Sequence, residues 1–418
     1  MVFAACLAVP TAALAIGLVS GGGHGFWNDF TTYWLAGKLV WNGHSPYDLA
    51  ALVRLGHDEG LVFQAGTGYS YPLPFAVAMV PFGWLPFGAA SLLFSLLSLS
   101  VFGMSVTAWL TDPCLFHGGR LATIACAALA GCYPPVVGSV VVGQANLLLF
   151  GSLGLGVRRL AGTDRAGWGG AALGLAGIVK VVPLALMVPA AIGRRWRDVV
   201  GMVAVAVGTF AVAAVAAPFA LSDMGRLLRL GEVDPYWTNQ SLNGFASRLV
   251  IPTGQSLPPF PDASAALIAW GAMALMAAAT LGALLWRRTR LASWDGLALG
   301  MGLALVAATA AAPKDSFWDH VPALIGAGLM LSVPGWQRGR WRRPLMGLLV
   351  GWFVLALGQV AVDQLDGATG GSGGPVSGYL TSLGLYGLVM LWMAIGLALV
   401  SLPAGAPLAG RHTRNAVQ

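Results

Sequence analysis

Apolar stretches of roughly twenty residues recur from one end of the chain to the other, each closed by a short polar or basic segment. No other feature constrains the fold as strongly. A helix of that length crosses the hydrocarbon core of a bilayer, where the backbone must satisfy its own hydrogen bonds and only helices or closed barrels can span. The period-two alternation of barrel strands is not evident. With 57% hydrophobic and 9% charged residues, the 418-residue chain reads as an all-α, polytopic integral membrane protein forming a single membrane domain, residues 1–418. Small residues at helical spacing, as in Gly169-Gly170-Ala171-Ala172-Leu173-Gly174, suit close packing of helices in lipid. The first apolar run, residues 3–19, lacks the basic leader and the cleavage pattern of a signal peptide and is expected to stay as a first helix. The cysteines, Cys6, Cys114, Cys126 and Cys132, contain no CxxC pair and predict neither a disulfide framework nor a zinc site.

Arginine clusters set the topology. They stand at Arg158-Arg159-Arg165, Arg194-Arg195-Arg197, Arg287-Arg288-Arg290, Arg338-Arg340-Arg342-Arg343 and Arg411-Arg414, and the positive-inside rule places them in the cytoplasm. The chain must cross and return between clusters, which predicts about twelve crossings with both termini cytoplasmic. Two pairs are short. Residues 121–137 and 145–157 meet at Val142-Gly143-Gln144, and the 166–193 segment is too short for two full spans, so its helices meet at a sunken Lys180. Residues 20–86 then form a first extracytoplasmic loop whose apolar piece 72–84 re-enters or lies at the interface, and residues 221–262 form a second large loop. The net charge of +7 is an asymmetry between the two faces, and gives no case for nucleic acid as a partner.

This topology gathers polar residues from six parts of the chain at one face: Asp29, Tyr71, Gln144, Asn146, Lys180, Asn239, Gln240, Asn243, Arg248, Lys314, Asp315, Asp319 and His320. Ionisable groups near membrane depth are costly and by default functional. Asp29 is the most pointed case, a carboxylate among Trp27, Tyr33 and Trp34 directly after the first apolar run.

The order NDFTTYWLAGKLVWNGHSPYD, YSYPLPF leading to PFGWLP, VVGQANLLLFGSLGLG, LGLAGIVKVVPLALMVPA, NQSLNGFASRL and FWDH resembles the polyprenol-phosphate-sugar-dependent glycosyltransferases of family 87 over residues 20–330. That family has the GT-C fold and includes mycobacterial alpha-mannosyltransferases and arabinofuranosyltransferases of the cell envelope. The resemblance implies a bacterial plasma-membrane enzyme with its active site outside, and Asp29 as catalytic base. It implies a polyprenyl-phosphate sugar donor, mannose or alternatively arabinofuranose, a lipid-linked or glycan acceptor, and an inverting displacement. The segment Ala312-Pro313-Lys314-Asp315-Ser316-Phe317-Trp318 departs from the family's serine-proline-tryptophan form, while His320 keeps its place.

The chemistry needs a base for the acceptor hydroxyl, cations or donors for the departing phosphate, and a lateral entrance for lipid. Asp29 is the candidate base. Lys180, Arg248, His320, Tyr71, Gln144, Asn146, Asn239 and Gln240 are the candidates for donor phosphate or sugar. A phosphate leaves as a stable anion, so no metal or other cofactor is required. Each residue also has a structural reading. Asp29 would cap a helix starting at Phe30, Asp48 would close a turn, and Lys180 would snorkel. Gln144 and Asn146 would join helices through their amides, and His320 would bond a helix end. A different class, a lipid or small-molecule transporter, would place charge along a path through the membrane and repeat its broken helices; only the break at Lys180 is found.

Overall fold

A computed structural model describes residues 1–20, 26–61, 68–161, 167–225, 233–252, 258–338, 340–369 and 377–403. Gly25, Arg165, Arg411, Arg414 and the GGSGG run at 370–374, read from sequence as a flexible loop, fall outside the described residues. Among the described residues the regular secondary structure is helical, apart from one isolated antiparallel bridge, Asn239 to Ser316.

Helix α1 (Val2–Val19) is followed by α2 (Asn28–Trp41), the amphipathic α3 (Leu49–Asp58), and two short pieces, α4 (Leu73–Ala78) and α5 (Val80–Gly83). The last two are too short to span; both pack against α2, and α4 also packs against two helices further along the chain, Trp168–Val179 and Trp196–Ala216. Next come α6 (Phe87–Leu110), α7 (Arg120–Cys132), α8 (Pro134–Val142), α9 (Asn146–Ala161) and α10 (Trp168–Val179). A 3₁₀ turn (Val182–Leu186) leads to α11 (Met187–Ile192), α12 (Trp196–Ala216), α13 (Leu242–Arg248), α14 (Ala265–Trp286) and α15 (Trp294–Ala310). A second 3₁₀ turn (Phe317–His320) precedes α16 (Pro322–Leu331), α17 (Arg342–Thr369), α18 (Ser377–Leu380) and α19 (Leu383–Ser401).

About twelve crossings are expected from sequence, but among the described residues only six helices are long and apolar enough by themselves: α1, α6, α12, α14, α17 through Val362, and α19. The pair α7 and α8 is bent by 47° and counts as a seventh if taken as one span. The bend has a local cause. Pro134 and Pro135 offer no N–H to the ladder, and Tyr133, forced to extended backbone by the proline after it, breaks the run. The helices α9, α10, α15 and α16 are shorter; for α10 the cause is the closeness of the arginine clusters on either side of it.

Glycine lets α10 and α12 approach backbone to backbone. A Cβ on Gly170 would lie 1.9 Å from the carbonyl oxygen of Asp198, and one on Gly174 2.5 Å from that of Met202. The helices also sort charge by end. α9 begins at buried Asn146 and carries Arg158 and Arg159 in its last turn, where cations suit the helix dipole. α10 ends at Lys180, and the neighbouring α12 starts beside Arg195 and Arg197.

Candidate active site

Four breaks in helical structure converge at one end of the bundle: the start of α2, the α8–α9 junction, the α10 terminus and the 3₁₀ turn 317–320. Trp27, in left-handed backbone with φ of 56°, turns the chain into α2 and donates its N–H to the Val141 carbonyl at 2.8 Å, tying α2 to α8. Helix α2 starts at Asn28, so Asp29 is inside its first turn and caps nothing; its carboxylate points instead to Gln144. The cap reading of Asp29 is thereby corrected, because the helix starts before it. Asp48, by contrast, is an N-cap, its Oδ1 accepting from the amides of Ala50 and Ala51.

Gly143 ends α8 with φ of 72°, and a Cβ there would lie 2.6 Å from Cβ of Phe30. Only glycine allows both the turn and this approach to α2. The result seats Gln144 beside Asp29. Gln144 Nε2 donates to Asp29 Oδ2 at 2.8 Å, and its Oε1 accepts from Tyr33 and Tyr71 hydroxyls at 2.5 and 2.7 Å. Tyr33 stands four residues after Asp29, on the same helix face.

Lys180 follows the end of α10 in extended backbone, so its side chain leaves the helix line. Its Nζ lies 2.5 Å from Asp319 Oδ1 and 5.6 Å from the centre of the Tyr71 ring. Asp319 is fully engaged. Oδ1 also accepts from Asn146 Nδ2 at 2.9 Å, while Oδ2 accepts the Ser316 amide at 3.1 Å in a capping box. Asn146 further donates to the Trp318 carbonyl at 2.8 Å.

Asp29, Lys180 and Trp318 are partly exposed, whereas Tyr33, Tyr71, Gln144, Asn146 and Asp319 are buried around them. Burial, chiefly, pushes the Asp29 carboxyl from its ordinary 3.8 to about 7, with the Asp319 carboxylate adding to the rise. Lys180, the Gln144 amide and the Trp318 indole act in the opposite direction.

His320 sits one layer deeper, almost fully buried, with Nε2 2.9 Å from Asp315 Oδ2. Burial raises the Asp315 carboxyl despite that partner. The remaining candidates fasten the loop beneath. Asn239 Oδ1 accepts from Ser241 Oγ at 2.7 Å and from the Asp315 amide at 3.2 Å, and the Gln240 amide N–H donates to the Asp315 carbonyl at 2.7 Å. Gln240 Nε2 donates to the carbonyls of Trp237 and Thr381. Arg248 donates to the carbonyls of Tyr236 and Asn239 and to Ser382 Oγ, so its guanidinium is engaged by the protein itself. Lys314 pairs with Asp234 at 3.2 Å. The structure thus brings together Asp29, Tyr71, Gln144, Asn146 and Lys180, sets His320 behind them, and places Asn239, Gln240 and Arg248 in a supporting layer. Sequence reasoning names Tyr33 only as an aromatic neighbour of Asp29, not as a hydrogen-bonding partner in the site, and singles out neither Trp318 nor the engagement of Asp319; the four-residue spacing from Asp29 is a signal that could find the first.

The fold and site define a polytopic helical membrane protein with a polar, charge-bearing centre at one end of its bundle. Residues 69–313, more than half of the chain, match the family model of glycosyltransferase family 87, and the chain belongs to that family. It is therefore a glycosyltransferase, the first of the two classes read from sequence. The matched range contains Tyr71, Gln144, Asn146, Lys180, Asn239, Gln240 and Arg248; the fold brings Asp29 and Asp319, on either side of it, to the same centre. No curated protein matches the chain.

Proposed function

We propose that the protein transfers mannose from a polyprenyl-phosphate carrier to a lipid-linked or glycan acceptor at the extracytoplasmic face of a bacterial plasma membrane, with Asp29 as general base. The observation that carries this reading is the contrast between two carboxylates. Asp319 has both oxygens bound and a lysine against it; Asp29 takes only the neutral Gln144 amide, on Oδ2, and the Trp318 indole, is partly exposed, and is pushed by burial up to about 7. A base needs accessible lone pairs and a pKa near the working pH, and Asp29 meets both needs.

In the proposed step the acceptor oxygen bonds to the anomeric carbon as its proton passes to Asp29. The bond from that carbon to the phosphate oxygen breaks with its electron pair, and polyprenyl phosphate departs as an anion. Lys180, partly exposed and already matched to a carboxylate oxygen, is the cation that meets the phosphate. No metal enters the step, since the leaving group is already a stable anion. The fold is of the GT-C type, with the arginine-bearing ends and both termini in the cytoplasm, in keeping with the charge asymmetry along the sequence.

The test is transfer by full-length protein in nanodiscs, with polyprenyl-phosphate-mannose or its arabinofuranose counterpart and a panel of lipid acceptors. Asp29→Asn is expected to lose roughly 10²- to 10⁴-fold in kcat while still binding donor. Full activity in that variant refutes the base, and transfer from the arabinofuranose donor alone replaces the sugar.

A further inference from the structure

Sequence makes Gln144 a candidate sugar or phosphate ligand, yet its amide is already committed on both sides. The oxygens Gln144 Oε1, Tyr33 OH and Tyr71 OH form a triangle with edges of 2.5, 2.7 and 2.7 Å. Two phenolic protons serve that triangle, and Oε1, which has only lone pairs, is an acceptor in every arrangement of them. The Ala145 amide adds a third donor at 3.1 Å. With the Ala145 amide and at least one phenol donating to Oε1, Nε2 faces the other way, and there it meets Asp29 Oδ2 at 2.8 Å. Rotating the amide by half a turn would set Nε2 against the Ala145 N–H and Oε1 against the Asp29 carboxyl oxygen, two mismatches that the observed orientation avoids.

We propose that Gln144 is a positioning residue for the base, turned by Tyr33 and Tyr71 so that its N–H holds the Asp29 carboxylate in one orientation. This deepens the role given above to Asp29 and rests on that reading for its catalytic meaning. The geometry supports it from three sides. Tyr33 is on the helix that carries Asp29, Tyr71 is on the chain leading to α4, and Gly143 brings Gln144 to α2. The rings reinforce the arrangement, because Tyr33 meets Tyr71 and Phe75 edge to face at 4.8 and 5.1 Å. All three polar side chains are buried, so water does not compete for the amide. The charged and titratable groups acting on Asp29 are Asp319 and Lys180, with the phenols of Tyr33 and Tyr71 beyond Gln144 and the Trp318 indole on the other side.

The experiment reads the carboxyl itself. In pH-difference infrared spectra of the full-length protein in nanodiscs, the Asp29 band is the one missing from Asp29→Asn. Gln144→Leu removes the donor, and Gln144→Glu, of nearly the same shape, sets a second carboxyl against Asp29. Both should raise the titration midpoint, by about one pH unit or more. Tyr33→Phe should raise it by a smaller amount, and should add nothing in the Gln144→Leu background, since it acts through the amide. In transfer assays the same variants should lower kcat with donor KM held, and move the pH profile with the infrared midpoint. A midpoint unmoved in folded Gln144→Glu overturns the proposal. The two readings fail separately: a shifted band with undiminished transfer in Asp29→Asn refutes the base and leaves the Gln144 contact standing, and lost transfer in Asp29→Asn with an unshifted band does the reverse.

Discussion

Lys180 Nζ lies 2.5 Å from Asp319 Oδ1, and the pair joins the broken end of α10 to the 3₁₀ turn about 140 residues further along the chain. Each partner is the other's main reason for being charged at that depth. Asn146 and the Ser316 amide supply the carboxylate with neutral donors, but Lys180 supplies its counter-charge. Lys180→Met should therefore lower stability by about 3 kcal/mol, the low end for breaking a buried pair, because the lysine is partly solvated. Adding Asp319→Asn should return most of the lost melting temperature in detergent. It should not return transfer, because the proposed cation for the phosphate is still missing. Recovery of both would make the pair purely structural.

The raised Asp29 carboxyl gives activity and stability opposite slopes in pH. The base works ionised, so log kcat/KM should climb with unit slope below about 7 and level off above it. The fold binds the Asp29 proton more tightly than the unfolded chain does, since 3.8 rises to about 7. Its contribution to stability is accordingly complete below 3.8 and is lost as pH rises through about 7. Asp29→Asn mimics the protonated group, and should melt at or above the wild-type temperature at pH 8 while being inactive. Melting curves across pH, wild type against variant, check the sign.

The helices are legible in the sequence because hydropathy and arginine spacing act locally, though only six of them are long and apolar enough to cross by themselves among the described residues. The break at Lys180 is legible for the same reason: two apolar pieces too short to span must meet somewhere. The contact from Gln144 to Asp29 is not, since it joins residues 115 apart and an amide among apolar neighbours serves equally to link helices. Trp318 is hidden among sixteen tryptophans in a chain where that residue belongs by default to the membrane interface. Arg248 looks like a phosphate ligand because its partners are mostly backbone carbonyls, which leave no mark in a sequence.

Arg248, on α13, reaches acceptors in the loop at 236–239 and in the turn before α19. Arg248→Ala strands them within the protein, and a hydrogen bond from a charged donor contributes about 1.5 to 3 kcal/mol. The variant should lose several degrees of melting temperature, with donor KM changed little in the fraction that stays folded. Arg248→Lys should recover only part of the loss, because an ammonium cannot reproduce the planar fork that reaches three acceptors at once. A rise in donor KM without loss of stability would instead put the guanidinium on the substrate.

Gly143→Ala tests how closely catalysis depends on the approach of α8 to α2. Left-handed backbone costs a non-glycine residue about 1 to 2 kcal/mol. The added methyl would also lie 2.6 Å from Phe30 Cβ, an atom fixed to the α2 backbone that cannot swing aside. Relief requires the end of α8 to withdraw, and Gln144 Nε2 withdraws with it from Asp29. Melting temperature should fall, and kcat should fall further than lost folded protein explains, with the pH midpoint displaced upward as in Gln144→Leu. Gly208, inside α12, has nothing within 4 Å of the place an added methyl would occupy, so Gly208→Ala should leave kcat and the pH midpoint unchanged and hold or raise the melting temperature. Equal effects from the two substitutions would mean that the Gly143 approach does not serve the site.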